Sequence, residues 1–214
     1  MTDLVIDVLT LLVLTVVGVR LFEAARSSVE RRGPMFEVVR GLRWRHVLGA
    51  VPVLVLVITA AALLIQIPYL SFGWWSVLGG EGNPVFGTTS RSLGPLDVII
   101  PIAFVSLLIV GLPLLVSREE WVFRRGAERR RLGDNLGRSI FFGVAHAVIG
   151  IPIGAALALS IGGFYLTGCY LRGWKATRTQ SGALLESTRA HLAYNLLIVV
   201  LIGVAFAILA IDSA

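Results

Sequence analysis

Long apolar runs alternate with short arginine-rich segments along the whole chain, and this pattern constrains the fold more than any other feature. The runs are Leu4 to Val19 with its neighbours, Val47 to Leu70, Leu96 to Val116, Ser139 to Leu171 and His191 to Ile211. A helix rising 1.5 Å per residue needs about 20 apolar residues to cross the hydrocarbon core of a bilayer. Four runs fit one crossing each. The run from Ser139 to Leu171 has 33 residues and basic segments at both ends, so it should cross an even number of times. Two short helices meeting near Pro152 or at Gly162-Gly163 satisfy this. The expectation is an all-α, polytopic transmembrane helical bundle of about six spanning helices. With 56% hydrophobic and 15% charged residues, polar surface is too scarce to wrap a soluble core. No linker divides the runs, so residues 1–214 read as one integral membrane domain.

The net charge of +6 does not point to nucleic acid, because of where the charges sit. Of nineteen basic residues, seven fall in 20–45, seven in 118–138 and four in 172–189, leaving only Arg91 in the long loop. This is the positive-inside pattern of a multi-pass cell-membrane protein. It places both termini outside and the loops 20–46, 117–138 and 172–190 in the cytoplasm. The bilayer itself is the expected partner. Asp3 and Asp7, with no basic segment before the first run, favour a retained anchor over a cleaved signal peptide. The single Cys169 excludes disulfide scaffolding and cysteine-clustered metal sites. Trp44, Trp74, Trp75, Trp121 and Trp174 all fall at the ends of runs or in connections, as interfacial indoles do.

Several features read as architecture. The Gly-rich loop from Ser71 to Gly94 contains Asn83-Pro84 and carries no chemical motif. Gly150, Gly154 and Ala158 make a small-residue stripe for close helix packing. Pro52, Pro101, Pro113 and Pro152 each remove a backbone donor, and Pro113, six residues before Glu119, is placed to re-aim the turn that follows. The segment Arg118 to Arg138 is expected to run helically along the cytoplasmic interface, with Arg129, Arg130 and Arg131 holding phosphate headgroups. His46, beside Arg43, Trp44 and Arg45, reads as interfacial.

Ionisable groups in spanning helices cost about 2.5–3.5 kcal/mol each at the bilayer centre, so those present ask for a reason. Glu119 and Glu120 end one run, His146 lies two turns inside another, and His191 opens the last, with Asn195 one turn later. Residues four apart share a helical face. Glu120 can therefore pair with Arg124, Phe142 can pack under His146, and His191 and Asn195 can point the same way. Glu119 lies about 100° round the helix from Glu120 and can play a different role. The topology puts all these groups at one depth below the cytoplasmic interface. A carboxylate able to act as general base toward water, helped by a histidine, and a second histidine with an asparagine able to bind an oxyanion, suit hydrolysis. Taken singly, each part has a plainer reading: a salt-bridge network, a packing histidine, an asparagine joining helices.

Three motifs occur in order: Glu119-Glu120-Trp121-Val122-Phe123-Arg124 as EExxxR, Phe142-Gly143-Val144-Ala145-His146 as FxxxH, and His191-Leu192-Ala193-Tyr194-Asn195 as HxxxN. In this the chain resembles the CPBP family, which includes type II CAAX prenyl endopeptidases and bacteriocin-processing or abortive-infection proteins. Arg124-Arg125-Gly126 and Gly182-Ala183-Leu184-Leu185 also look like that family. The resemblance covers about residues 113–211. It implies an intramembrane endopeptidase cleaving a membrane-associated peptide or protein, with Glu119 and His146 activating water and His191 and Asn195 stabilising the oxyanion. Glu120, Arg124 and Phe142 become supporting residues. A metal-free mechanism without cofactor is our reading; the alternative is zinc held by Glu119, His146 and His191. No HExxH is present. About six crossings depart from the eight-helix CAAX enzymes, so a prenylated substrate is not inherited. Two further alternatives stand: a non-catalytic immunity or scaffolding protein of the same fold, and a proton-coupled transporter, which would need a polar path across the bilayer.

Overall fold

The computed structural model describes residues 34–73 and 96–212 together with five helical positions between residues 15 and 26, and among the described residues helix-forming apolar stretches interrupted by Gly, Pro and Arg produce six helices that can be delimited. They are α1 (Pro34–Arg40), α2 (Trp44–Leu64), α3 (Leu96–Arg124), α4 (Leu132–Ala145), α5 (Ile153–Thr177) and α6 (Gln180–Asp212), with 3-10 turns at Ala127–Arg129 and His146–Ile149. No strand occurs among the described residues. The all-α expectation therefore holds for what is described. The run Leu4 to Val19 and the loop carrying Trp74 and Trp75 lie largely or wholly outside it.

Three of the described helices are long and apolar enough to cross a membrane: Trp44–Leu64, Ile153–Thr177 and Gln180–Val204. The outward face of α2 carries Leu48, Val51, Val55, Leu56, Ile58 and Leu63, all exposed. A contiguous apolar face of this size is poorly suited to water and well suited to lipid.

Helix α5 is the centre of the bundle, packing against α2, α4 and α6, while α6 also contacts α3. Small residues set the spacing. A Cβ added at Gly143 of α4 would lie 2.5 Å from the Ala156 carbonyl oxygen and the Ser160 nitrogen of α5. One added at Gly163 of α5 would lie 2.5 Å from the Ser139 carbonyl oxygen of α4. The two backbones are thus in contact, and Ser160 Oγ donates to the Ile140 carbonyl across the seam (3.3 Å). Ala50, Leu54 and Val57 of α2 meet Ala158 of α5 and Ala193 and Tyr194 of α6 in one core cluster.

The break in the long apolar run comes at Gly150–Pro152, not at Gly162-Gly163. Gly150 turns the chain with φ 92°, a conformation that suits a residue without Cβ. The first amides of α5 then find acceptors outside the helix: Ile153 N–H donates to Phe72 O (2.9 Å) and Gly154 N–H to Leu70 O (2.8 Å). Of the proposed small-residue stripe, Gly154 packs closely, since its Cβ would meet Leu64 at 3.0 Å, whereas Gly150 serves the turn. Helix α4, at fourteen residues, is about 20 Å long and shorter than a hydrocarbon core.

Other expectations are corrected. The segment 118–138 does not continue as one interfacial helix: α3 ends at Arg124, and the chain reverses at Gly126 (φ 81°). Arg130 turns inward, donating through Nη1 to the Phe123 carbonyl (3.0 Å), because the last carbonyls of α3 lack helical partners. Arg129 and Arg131 are exposed. Pro113 leaves α3 unbroken, and Ser117 Oγ donates to its carbonyl (2.6 Å).

Candidate functional site

Everything at the site follows from how the last two turns of α3 are held against α6. The Ala127–Arg129 turn after α3 is tied to the α5–α6 hairpin through Glu128, whose oxygens accept from Tyr170 OH (2.7 Å) and Gln180 Nε2 (3.0 Å). Arg138 Nη1 of α4 donates to the Val122 carbonyl (3.1 Å). These bonds fix the end of α3 against both neighbours.

On that end, Glu119 and Glu120 point differently, as their angular separation requires. The Glu120 side chain is fully buried; that of Glu119 is 35% exposed. Glu120 Oε1 faces Arg124 Nη1 at 3.4 Å, the i,i+4 pair read from the sequence, and His191 Nδ1 at 2.9 Å. An ionised carboxylate only accepts, so the Nδ1 of His191 carries a hydrogen. The other nitrogen of the same ring, Nε2, lies 3.5 Å from Glu119 Oε2. One imidazole thus bridges two carboxylates, one buried and pinned, one partly open. For the Nε2 contact to be attractive, a proton must lie between the two atoms.

Arg124 is itself enclosed. Its guanidinium stacks 4.1 Å over the Phe142 ring, and Nη2 donates to the Gly163 carbonyl (3.4 Å). Phe142 is the hub of the aromatic packing. Its ring meets His146 at 5.0 Å and His191 at 5.5 Å between centroids, both edge-on. His146 stands where α4 gives way to its 3-10 turn, and its Nδ1 donates to the Phe142 carbonyl (2.8 Å). A neutral His146 with its hydrogen on Nδ1 presents Nε2 as a lone-pair acceptor.

The structure therefore links Glu119, His191, Glu120, Arg124 and Phe142 through a chain of direct contacts and seats His146 against the same phenyl ring. The Asn195 side chain, one turn beyond His191 on α6 and half-buried, makes no hydrogen bond to the described residues. Among the described residues, no three of His, Cys, Asp and Glu are grouped so as to hold a metal ion.

His46 does not face lipid or solvent but is enclosed by protein. It is 0% exposed, takes the Arg43 N–H on Nδ1 (3.0 Å), and faces Glu186 Oε2 through Nε2 (3.4 Å). Glu186 also receives Arg45 (2.8 Å) and Arg172 (2.9 Å). The sequence reading passed over this cluster. The available signal was Glu186 itself, a carboxylate between the basic loop and the apolar stretch of α6. Set against protein-family models, curated proteins and solved structures, the chain matches none of them.

Proposed function

We propose that this protein is an intramembrane endopeptidase that hydrolyses a peptide bond of a membrane-associated protein or peptide with water activated by glutamate and histidine. The observation that carries this reading is the single imidazole of His191 held between a buried, paired Glu120 and a partly open Glu119 (2.9 and 3.5 Å). Glu120 with Arg124 orients the ring, and Glu119, partly open and in the longer of the two contacts with His191, takes a proton from water. His146, its Nδ1 committed to a carbonyl, offers Nε2 to the same water. Protonated His191 and the Asn195 carboxamide, one turn apart on α6, donate to the oxyanion of the tetrahedral intermediate. The surrounding apolar helices exclude bulk water and strengthen each of these interactions. The three ordered motifs and the residues that the geometry groups support membership of the CPBP family.

In the same proposal, about six crossings carry both termini to the extracytoplasmic side and set the site near the cytoplasmic face, where Arg118, Arg125 and Arg138 gather. The mechanism needs no metal.

The test uses the full chain in lipid nanodiscs and a panel of internally quenched peptides bearing an acyl or prenyl anchor. Glu119→Ala should lower cleavage at least a hundredfold while the variant stays folded, and His146→Ala should do likewise. Full cleavage by Glu119→Ala would sink the assignment. A scaffolding role is favoured by one observation, the tight burial of Glu120, Arg124 and His191, and it expects Glu119→Ala to keep every biological effect of the parent.

A further inference from the structure

Each of two histidines is bonded to a glutamate, and both pairs include a residue of α6. On one side His191 of α6 meets Glu120 of α3 (2.9 Å); on the other Glu186 of α6 meets His46 of α2 (3.4 Å). The second pair lies outside the three motifs. Its histidine contact is longer than that of the first, but its carboxylate has more charged partners. His46 has both ring nitrogens engaged: Nδ1 accepts the Arg43 N–H that opens α2, so the ring hydrogen sits on Nε2 and is donated to Glu186. The two Glu186 oxygens divide the cations, Oε2 taking Arg45 from α2 and Oε1 taking Arg172 from α5. Opposed charges at 2.8 and 2.9 Å are charge-assisted bonds of the stronger kind. At this level α5 and α6 make a close approach, since a Cβ added to Gly173 would lie 2.8 Å from the Glu186 Cβ.

Glu186 precedes His191 by five residues on one uninterrupted helix, about 7.5 Å along its axis. A rigid helix clamped at Glu186 cannot slide or rotate without moving His191. The two His191 contacts, to Glu119 and Glu120, tolerate little such movement, because a displacement near 1 Å at a reacting group costs about a hundredfold in rate.

We propose that Glu186 is a positioning residue of the site: bound to His46, Arg45 and Arg172, it sets the depth and rotation of α6 and so aims His191 Nε2 at Glu119. This rests on the peptidase reading for its effect on rate, but the geometry it asserts can be measured without any substrate.

The experiment uses the full chain in nanodiscs, labelled with 15N-histidine. Its three histidines give three pairs of imidazole resonances, assigned through His46→Asn and His146→Asn. Glu186→Gln preserves the shape of the side chain and removes its charge. The expected result is a shift of the His191 resonances in folded protein, together with a fall in kcat per folded molecule of about tenfold or more and KM within twofold. Where Glu186→Gln does not fold, Arg172→Gln, altering a side chain 60% exposed, reads the same resonances. His191 resonances and kcat both at wild-type values in the folded variant overturn the proposal. Glu119→Gln in the same assay separates the two claims. If it cleaves fully, the peptidase reading fails, and the His191 resonances of Glu186→Gln still decide the positioning.

Discussion

Replacing Arg124 by Met isolates what the buried ion pair contributes. The substitution keeps an unbranched apolar side chain near Phe142 and removes the charge that faces Glu120. In the native site the two side chains are 1% and 0% exposed, and 3.4 Å separates Nη1 from Oε1. After the substitution Glu120 Oε1 retains the His191 Nδ1–H, but Oε2 has no hydrogen bond among the described residues, so one bond must support a buried charge. Removing one member of a buried pair costs about 3–5 kcal/mol. The lost stacking of the guanidinium over Phe142, worth up to about 2 kcal/mol when desolvated, falls within that range. Against a total stability of about 5–15 kcal/mol this is a large fraction. The double variant Arg124→Met with Glu120→Gln removes both charges and leaves an amide that can still meet His191. Its loss should be smaller than the sum of the single losses by about 1–3 kcal/mol. Reversible unfolding in mixed detergent–SDS micelles, followed by tryptophan fluorescence, measures all four proteins. An Arg124→Met variant within about 1 kcal/mol of wild type, or strictly additive single losses, would refute the reasoning.

The remaining predictions concern packing, pH and metal. Gly143→Ala forces a methyl against α5 backbone atoms at 2.5 Å and should destabilise the protein by about 1–3 kcal/mol or more in the same unfolding assay, whereas Gly133→Ala, with open space around it, should not. Burial pushes the Glu128 carboxyl up, but hydrogen bonds from Gln180 and Tyr170 outweigh it and hold the group below its ordinary value. Its native value being the lower one, the stabilisation is fully present above the ordinary carboxylate value of about 4.3 and is lost as pH falls through the native value. The stability difference between wild type and Glu128→Gln should thus be constant from pH 7 to about 5 and shrink below that. A strong chelator should leave peptide cleavage unchanged; loss of cleavage restored by zinc would instead point to zinc held by Glu119, His146 and His191.

Much of the local design was legible in the sequence. The Glu120–Arg124 pair and the packing of Phe142 on His146 follow from i,i+4 spacing, which one helix imposes on its own. The glycine positions also announced their roles in part, as at Gly154. Misreadings arose where a neighbouring element supplied the partner. Arg130 looked like a surface cation, yet it serves the unpaired carbonyls of α3. Nothing local marks His46, beside Arg43, Trp44 and Arg45, as buried, and it is the approach of α6 with Glu186 that gives it its partner.

From the residues alone came the helical class, the membrane-sized apolar lengths and the inventory of groups fit for hydrolysis, since hydropathy and helical periodicity are properties of contiguous chain. Tertiary structure decided that one imidazole spans two carboxylates and that a second histidine is bonded to Glu186. It also decided that the long run breaks at Gly150–Pro152. The two histidine contacts join residues 71 and 140 positions apart. At such separations the angle at which helices meet determines which polar groups become neighbours, and no local pattern encodes that angle.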